Sequence, residues 1–177
     1  MEAKTPENAL EGLREHSVIV ADTAEYHIIG KYNATDVTTN PVLVAQAAQK
    51  PEYAQHIKEA VEYAKTHFHN FKNAHTDIGQ PSTTKVDYNT LSESDKKNFL
   101  LMVYEKLGVS FGLEILKIVP GYISTQLDPR LAYDYETMLA SARRMAKLYE
   151  VAGIPRERFM IKVPSTWEGV QVARQYF

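Results

Sequence analysis

The chain has 177 residues, of which 44% are hydrophobic and 24% are charged, a composition typical of one globular domain. Its 20 basic and 22 acidic side chains give a net charge of −2, which predicts no nucleic-acid partner and favours small molecules. It has no cysteine, no signal-like leader and no apolar run of membrane length, which excludes disulfides and thiolate catalysis and favours a cytoplasmic protein without a membrane partner.

The first part of the chain contains two short strand-like runs, each followed by a helical pattern. Residues 17–21 form an apolar run typical of a buried strand that stops at Asp22, and a helix is expected to follow as far as Tyr32. Residues 36–39 predict a second short strand. The next two residues, Asn40-Pro41, indicate a turn that begins another helix, with the proline at its first position.

Two longer helices are predicted in the middle of the chain. The first begins at Pro51, and its apolar residues recur at helical spacing as far as Phe68. A polar stretch with glycine and proline, residues 72–90, is interpreted as a surface loop. Ser92, with an acid three residues later, predicts the start of the second helix, which continues through Leu116.

The last part of the chain repeats the strand and helix alternation twice. Residues 122–127 predict the third strand, and 135–151 predict a helix with an apolar face. The fourth strand contains Lys162. A capping box at Ser165-Thr166-Trp167-Glu168 then indicates a final helix that reaches Phe177.

Four strand and helix units in succession predict an α/β fold with a parallel sheet. Each strand is followed or ended by a polar residue: Asp22, Asn40, Gln126 and Lys162. This pattern favours a (β/α) barrel of the TIM type with its site at the carboxyl ends of the strands. Because eight units typically take about 250 residues, residues 1–177 are expected to be a single domain supplying about the first four units. A doubly wound open sheet is the alternative, although no glycine-rich fingerprint follows the first strand.

Lys162 lies in an otherwise apolar strand, which admits two interpretations. Burial among apolar neighbours disfavours the charged form of a lysine and exposes a nucleophilic amine, as a Schiff base requires. Alternatively, the lysine marks an edge strand, where its ammonium group discourages aggregation.

Five motifs, occurring in the expected order, together resemble transaldolase. They are Val20–Thr23, Asp36–Pro41, Gly112–Leu116, Ile123–Leu131 and Ile161–Gly169. The resemblance extends from about Gly12 to Phe177 and corresponds to the N-terminal half of a typical transaldolase barrel.

The resemblance implies a Schiff-base enzyme of the non-oxidative pentose phosphate pathway. Such an enzyme moves a dihydroxyacetone unit from a ketose phosphate, sedoheptulose 7-phosphate or fructose 6-phosphate, to an aldose phosphate, without metal or organic cofactor. It implies that Lys162 forms the imine, which accepts electrons when the neighbouring C–C bond breaks. No metal site is expected from His67 and His69, which are two apart on a predicted helix and point to different faces.

The resemblance also assigns roles to four further residues. It implies that Asp22 is the acid/base carboxylate, although an aspartate here could instead cap the next helix. It places Thr38 and Asn40 in the substrate-binding site, whereas Asn-Pro alone is an ordinary turn signal. Gln126 departs from the glutamate usual in transaldolases; it cannot titrate but can hold a water, and fructose-6-phosphate aldolases have glutamine at the equivalent place.

Alternatives to a transaldolase remain open in the sequence. The phosphate site of such barrels usually follows strands seven and eight, which these four units do not supply. The chain could therefore be a truncated, non-catalytic half-barrel that acts as an interaction module, or have a fructose-6-phosphate aldolase-like activity. Unpaired edges at the first and fourth strands would favour a homodimer or pairing with a missing C-terminal half.

Overall fold

A computed structural model describes residues 6–73, 78 and 80–176. The strands are β1 (Val20–Asp22), β2 (Asp36–Thr38), β3 (Ile123–Gln126) and β4 (Phe159–Lys162). The helices are α1 (Ala9–Arg14), α2 (Tyr26–Ile29), α3 (Pro41–Ala48), α4 (Ala54–Asn73), α5 (Glu93–Leu116), α6 (Tyr135–Val151) and α7 (Trp167–Tyr176). Short 3-10 turns occur at Gly30–Tyr32, Pro51–Tyr53, Tyr88–Thr90, Pro129–Leu131 and Arg156–Arg158.

The four strands form one parallel sheet in the order β1-β2-β3-β4. Connections between parallel strands are almost always right-handed, so a sheet that adds each strand on the same side keeps its connecting helices on one face. A doubly wound sheet would reverse direction at a switch point, which this order excludes. The predicted partial (β/α) barrel of the TIM type is therefore confirmed.

The two faces of the sheet differ in burial because successive strand residues point to opposite sides. One face packs against the helices and is closed to solvent by the core residues Val37, Ile123, Phe159 and Ile161. On the other face, Val20 is 51% exposed and Met160 is 46% exposed. This second face, which we call the open face, carries Val20, Asp22, Asp36, Thr38, Ser124, Gln126, Met160 and Lys162.

Helices α5 and α6 pack closely on the covered face. A side chain at Gly112 of α5 would place its Cβ 1.8 Å from the hydroxyl oxygen of Tyr149 on α6, so glycine is required at this contact. The Tyr149 hydroxyl also lies 2.6 Å from the Thr125 hydroxyl of β3. One tyrosine thus joins both helices to the central part of the sheet.

Most predicted elements agree with the structure within one or two residues. The bounds predicted for α6 are confirmed, and Lys162 lies in the fourth strand as expected. The first strand begins later than predicted, at Val20, and includes Asp22, because it forms only where β2 lies beside it. The cap of α7 is Thr166, whose hydroxyl accepts a hydrogen bond from the Gly169 N–H at 3.1 Å, and not Ser165 of the predicted capping box.

The predicted surface loop at residues 72–90 is shorter than expected. Helix α4 continues to Asn73, and Tyr88–Thr90 is a 3-10 turn. Residues 74–77 and 79 lie outside the described part of the chain. Between these ends, Val86 is buried and its N–H donates to the Lys65 carbonyl of α4, so this segment packs onto the helix layer.

Among the described residues, no helix is both long and apolar enough to cross a bilayer.

Candidate active site

Four of the five residues singled out in the sequence lie together on the open face, at the carboxyl ends of the strands. Asp22 of β1 pairs in register with Thr38 of β2, and Gln126 of β3 pairs with Lys162 of β4. Neighbouring strands are about 4.8 Å apart, so side chains at these positions approach one another. The sheet thus brings an amine, a carboxylate, a hydroxyl and an amide together at the carboxyl ends of its four strands.

Lys162 reaches across the open face. Its Nζ donates a hydrogen bond of 3.1 Å to the Thr38 hydroxyl, which lies two strands away on β2. The side chain is half-buried, and it forms no salt bridge within the described residues. β4 is an edge of the described sheet, but its lysine leans inward over β3. This direction does not fit a lysine that only protects a strand edge.

Asp22 ends β1 with an exposed side chain. The capping alternative for this residue is wrong, because the N-cap position of α2 is Glu25 and the Thr23 hydroxyl accepts the Glu25 N–H at 3.1 Å. Within the part of the chain that the structure describes, the Asp22 carboxylate accepts no hydrogen bond. It is therefore available to a ligand on the open face.

Asn40 follows β2 and caps the next helix. Its side-chain oxygen accepts the Leu43 N–H at 3.0 Å, and Pro41 occupies the first position of α3. Because the cap uses the oxygen, the amide nitrogen remains to donate to a hydroxyl or carboxylate. The turn interpretation of Asn-Pro is thus confirmed, and it leaves half of the amide for binding.

Gln126 ends β3 and is held through its backbone. Its carbonyl oxygen accepts a 2.8 Å hydrogen bond from the hydroxyl of Tyr104 on α5. The following N–H, of Leu127, donates to the Lys162 carbonyl at 3.0 Å. Burial raises the pKa of the Tyr104 hydroxyl, and the nearby Asp128 carboxylate adds to this effect. The hydroxyl therefore stays protonated and serves as a permanent donor.

Asp128 anchors the loop that follows β3. Its side chain is buried, and it accepts hydrogen bonds from both the backbone N–H and the guanidinium of Arg130. Burial opposes ionisation of this carboxyl, but the hydrogen bonds from Arg130 outweigh that effect and lower its pKa. The loop after Gln126 thus has a fixed, negatively charged anchor.

Sequence reasoning did not identify Tyr104 as part of the site. The residue lies in the middle of α5, distant in sequence from every strand, where an aromatic residue is most often a packing residue. The available signal was a tyrosine on the same helix face as buried apolar residues, since a buried hydroxyl needs a partner.

The open face combines groups suited to covalent carbonyl chemistry. A primary amine can form an imine, a nearby carboxylate can move a proton, and hydroxyl and amide groups can bind a polyol. Among the described residues, no group of three or more histidine, aspartate or glutamate side chains is arranged to hold a metal ion.

Comparisons with known proteins identify the family that the chain resembles. A family model described as Transaldolase/Fructose-6-phosphate aldolase matches residues 19–176. The chain is 42% identical over 167 residues to a probable transaldolase of Dictyostelium discoideum, which covers 94% of this chain and 44% of that protein. It is 38% identical over 169 residues to the transaldolase of Bos taurus, covering 96% of this chain and 43% of the relative.

A bacterial relative gives the same proportions. The transaldolase of Actinobacillus pleuropneumoniae serotype 3 (strain JL03) is 42% identical over 164 residues, covering 93% of this chain and 44% of its own length. The chain therefore spans less than half the length of these relatives. Since the family match covers all four strands and the open face between them, the chain belongs to the transaldolase/fructose-6-phosphate aldolase family.

Proposed function

We propose that this chain carries the Schiff-base half of a transaldolase site. In this proposal Lys162 forms the imine, Asp22 moves the proton, Gln126 holds a water, and Thr38 and Asn40 bind the substrate. The observation that carries the proposal is the 3.1 Å contact from the Lys162 amine to the Thr38 hydroxyl across the open face. It aims the one nitrogen nucleophile of the open face at the place where the other polar groups converge.

The first step joins the enzyme to a ketose phosphate. The Lys162 nitrogen attacks the ketone carbon, and the resulting carbinolamine takes up a proton from solvent and loses water to give a protonated imine. Gln126 lies directly beside Lys162 in register, so its amide is placed to hold the water that leaves and later returns. Because glutamine cannot titrate, it orients this water without exchanging a proton with it.

The second step breaks the C–C bond between the third and fourth carbons of the ketose, counted from the terminal hydroxymethyl carbon. Asp22 accepts the proton of the hydroxyl on the departing fragment, and the electron pair of the broken bond moves into the iminium. The aldose phosphate leaves, and a three-carbon enamine stays on Lys162. Addition to a second aldose phosphate, with the proton returned by Asp22, completes the transfer, and hydrolysis frees the amine.

The proposed substrates are sugar phosphates, with sedoheptulose 7-phosphate or fructose 6-phosphate as donors, in the cytoplasmic, non-oxidative pentose phosphate pathway. The family match and an open face lined with hydroxyl, amide and carboxylate groups support this substrate class. The described residues supply no phosphate site after a seventh or eighth strand. We infer that a second half-barrel, from further chain or from another copy, completes substrate binding.

Borohydride trapping tests the proposal directly. The protein is incubated with fructose 6-phosphate and reduced with borohydride, and its intact mass is measured by mass spectrometry. We expect a three-carbon adduct that is lost in Lys162→Ala and retained in Lys117→Ala, a control in which the side chain is 66% exposed at the end of α5. Absence of any adduct on folded wild-type protein, or an adduct that survives Lys162→Ala, would contradict the proposal.

Gln126 favours a second candidate, simple aldol cleavage of fructose 6-phosphate. A glutamine that orients water without titrating matches the residue of fructose-6-phosphate aldolases at this place, and the family model covers both activities. The two are separated by following free dihydroxyacetone with and without an acceptor aldose phosphate. Release that does not depend on acceptor supports cleavage, whereas acceptor-dependent formation of a new ketose phosphate supports transfer.

A further inference from the structure

The hydrogen-bond ladder between β2 and β3 follows a regular two-residue step. The Val37 N–H donates to the Tyr122 carbonyl, and the Thr39 N–H donates to the Ser124 carbonyl, each at 3.0 Å. In a parallel pair, such bonds are evenly spaced along the strands. The pairing of the two strands ends at Thr38 and Ser124, so the carbonyl of Gln126 lies beyond this ladder.

After this pair, Asn40 caps α3 and Pro41, which has no N–H, begins the helix. Within the described residues, β2 therefore supplies no backbone donor to the Gln126 carbonyl. A carbonyl inside the fold without a donor is unfavourable, and another group has to supply it.

The Tyr104 hydroxyl supplies the donor, at 2.8 Å from the Gln126 oxygen. The helix that carries it is fixed in rotation by the next residue. Glu105 is 1% exposed and binds two groups of α6, the Ser141 hydroxyl at 2.6 Å and the Arg144 guanidinium at 2.6 and 2.9 Å. Tyr104 is thus held at a set position relative to the sheet.

The peptide that Tyr104 holds also connects the two residues at the centre of the open face. The Gln126 carbonyl and the Leu127 N–H belong to one planar peptide group. The Leu127 N–H donates to the carbonyl of Lys162 at 3.0 Å. If the carbonyl side of this plane were released, it could rotate and loosen β3 from β4 at Lys162.

We propose that Tyr104 is a positioning residue for Gln126. Its hydroxyl supplies the donor that β2 does not provide, and so fixes the end of β3 at which Gln126 pairs in register with Lys162. The kinetic consequence rests on the proposed function, because it takes Gln126 to handle water during imine formation. The structural consequence, a fixed Gln126–Leu127 peptide, is independent of it.

The structural consequence is tested by amide hydrogen exchange of Leu127 in the full chain, followed by NMR. We expect Tyr104→Phe to speed exchange about tenfold, the effect of losing one hydrogen bond. Tyr149→Phe is the matched control, because it removes a buried hydroxyl that bonds to the neighbouring residue of the same strand, Thr125. Unchanged exchange in Tyr104→Phe, or equal acceleration in both variants, would overturn the proposal.

The kinetic consequence is measured as the rate of imine formation at Lys162, by borohydride quenching at timed intervals with fructose 6-phosphate. Tyr104→Phe should form the adduct about tenfold more slowly, and Tyr149→Phe at the wild-type rate. Added to Gln126→Ala, Tyr104→Phe should cause no further slowing, because the two act through one step. Additive slowing would overturn the positioning role.

A wild-type chain that forms no adduct would refute the proposed function. The exchange rate of the Leu127 amide would then decide alone whether Tyr104 holds the end of β3.

Discussion

At the scale of single residues, the amine of Lys162 forms no salt bridge with the carboxylate of Asp22 on the open face. Lys162 bonds to the neutral hydroxyl of Thr38, whereas the Asp22 carboxylate accepts no hydrogen bond from the described residues. A direct salt bridge would hold the nitrogen as an ammonium ion, which is not a nucleophile. This separation fits the proposed roles, in which Lys162 attacks the carbonyl carbon of a substrate and Asp22 takes the proton of one of its hydroxyl groups.

The roles proposed for Lys162 and Asp22 lead to a specific expectation for Asp22→Asn. The imine at Lys162 should still form, but C–C cleavage should slow by about 10²- to 10⁴-fold because the base is missing. After borohydride treatment, the adduct should therefore keep all six carbons of fructose 6-phosphate. Intact mass spectrometry distinguishes this adduct from the three-carbon adduct of the wild-type protein.

Asp36→Asn is the matched control for this expectation. Asp36 lies on the same face, in register with Val20, and its carboxylate already accepts the Tyr122 N–H at 2.8 Å. An asparagine keeps an oxygen for that bond, so the wild-type three-carbon adduct should persist. A three-carbon adduct formed at the wild-type rate by Asp22→Asn would show that another group takes the proton.

At the scale of elements, local patterns predicted what local chemistry determines. The run 135–151 has a polar cap, a continuous apolar face and a glycine just beyond its end, and Gly153 indeed adopts a positive φ of 80°. The bounds of β1 could not be predicted in this way. They depend on pairing with β2, so they extend to Asp22 and leave out apolar residues before Val20.

Contacts between distant elements were missed for a related reason. Glu105 and Arg144 were not singled out, because single charges within long helices usually face solvent. In the structure they form a buried ion pair, 1% and 3% exposed, and the guanidinium also lies 4.3 Å from the ring centre of Phe71. The pairing of α5 with α6 creates this environment, and sequence spacing within one helix does not reveal it.

The buried pair gives an expectation for stability. Arg144→Met should lower the free energy of unfolding by about 3–5 kcal/mol, because it leaves the Glu105 carboxylate buried without its partner. Arg143→Met, next to it and only partly buried, should change stability by less than about 0.5 kcal/mol. Urea unfolding monitored by circular dichroism measures both values.

A double variant separates the ion pair from simple packing. Glu105→Met combined with Arg144→Met removes both charges, so it should be more stable than Arg144→Met alone. Equal losses in the single and double variants would mean that side-chain packing, and not the unpaired carboxylate, accounts for the effect.

At the scale of the whole molecule, the sheet has more surface than its own helices cover. β1 and β4 each pair on one side only within the described residues, and Val20 and Met160 of the open face are about half exposed. Unpaired strand edges and exposed apolar side chains favour association with another surface. The chain spans 44% of the length of the Dictyostelium relative, so a second half-barrel is the structure that would cover both the unpaired strand edges and the exposed apolar side chains.

We therefore expect the 177-residue chain to form a dimer through the open face. Val20→Glu should weaken that dimer at least about a hundredfold, because association would bury an unpaired charge. Val151→Glu, at a position 66% exposed at the end of α6, should leave the dimer intact. Native mass spectrometry over a range of protein concentrations measures both. A wild-type chain that stays monomeric at every concentration would contradict self-pairing.

Borohydride trapping then separates the remaining alternatives. A dimer that carries the three-carbon adduct has active sites, whereas a dimer without the adduct is an interaction module that kept the fold and lost the chemistry.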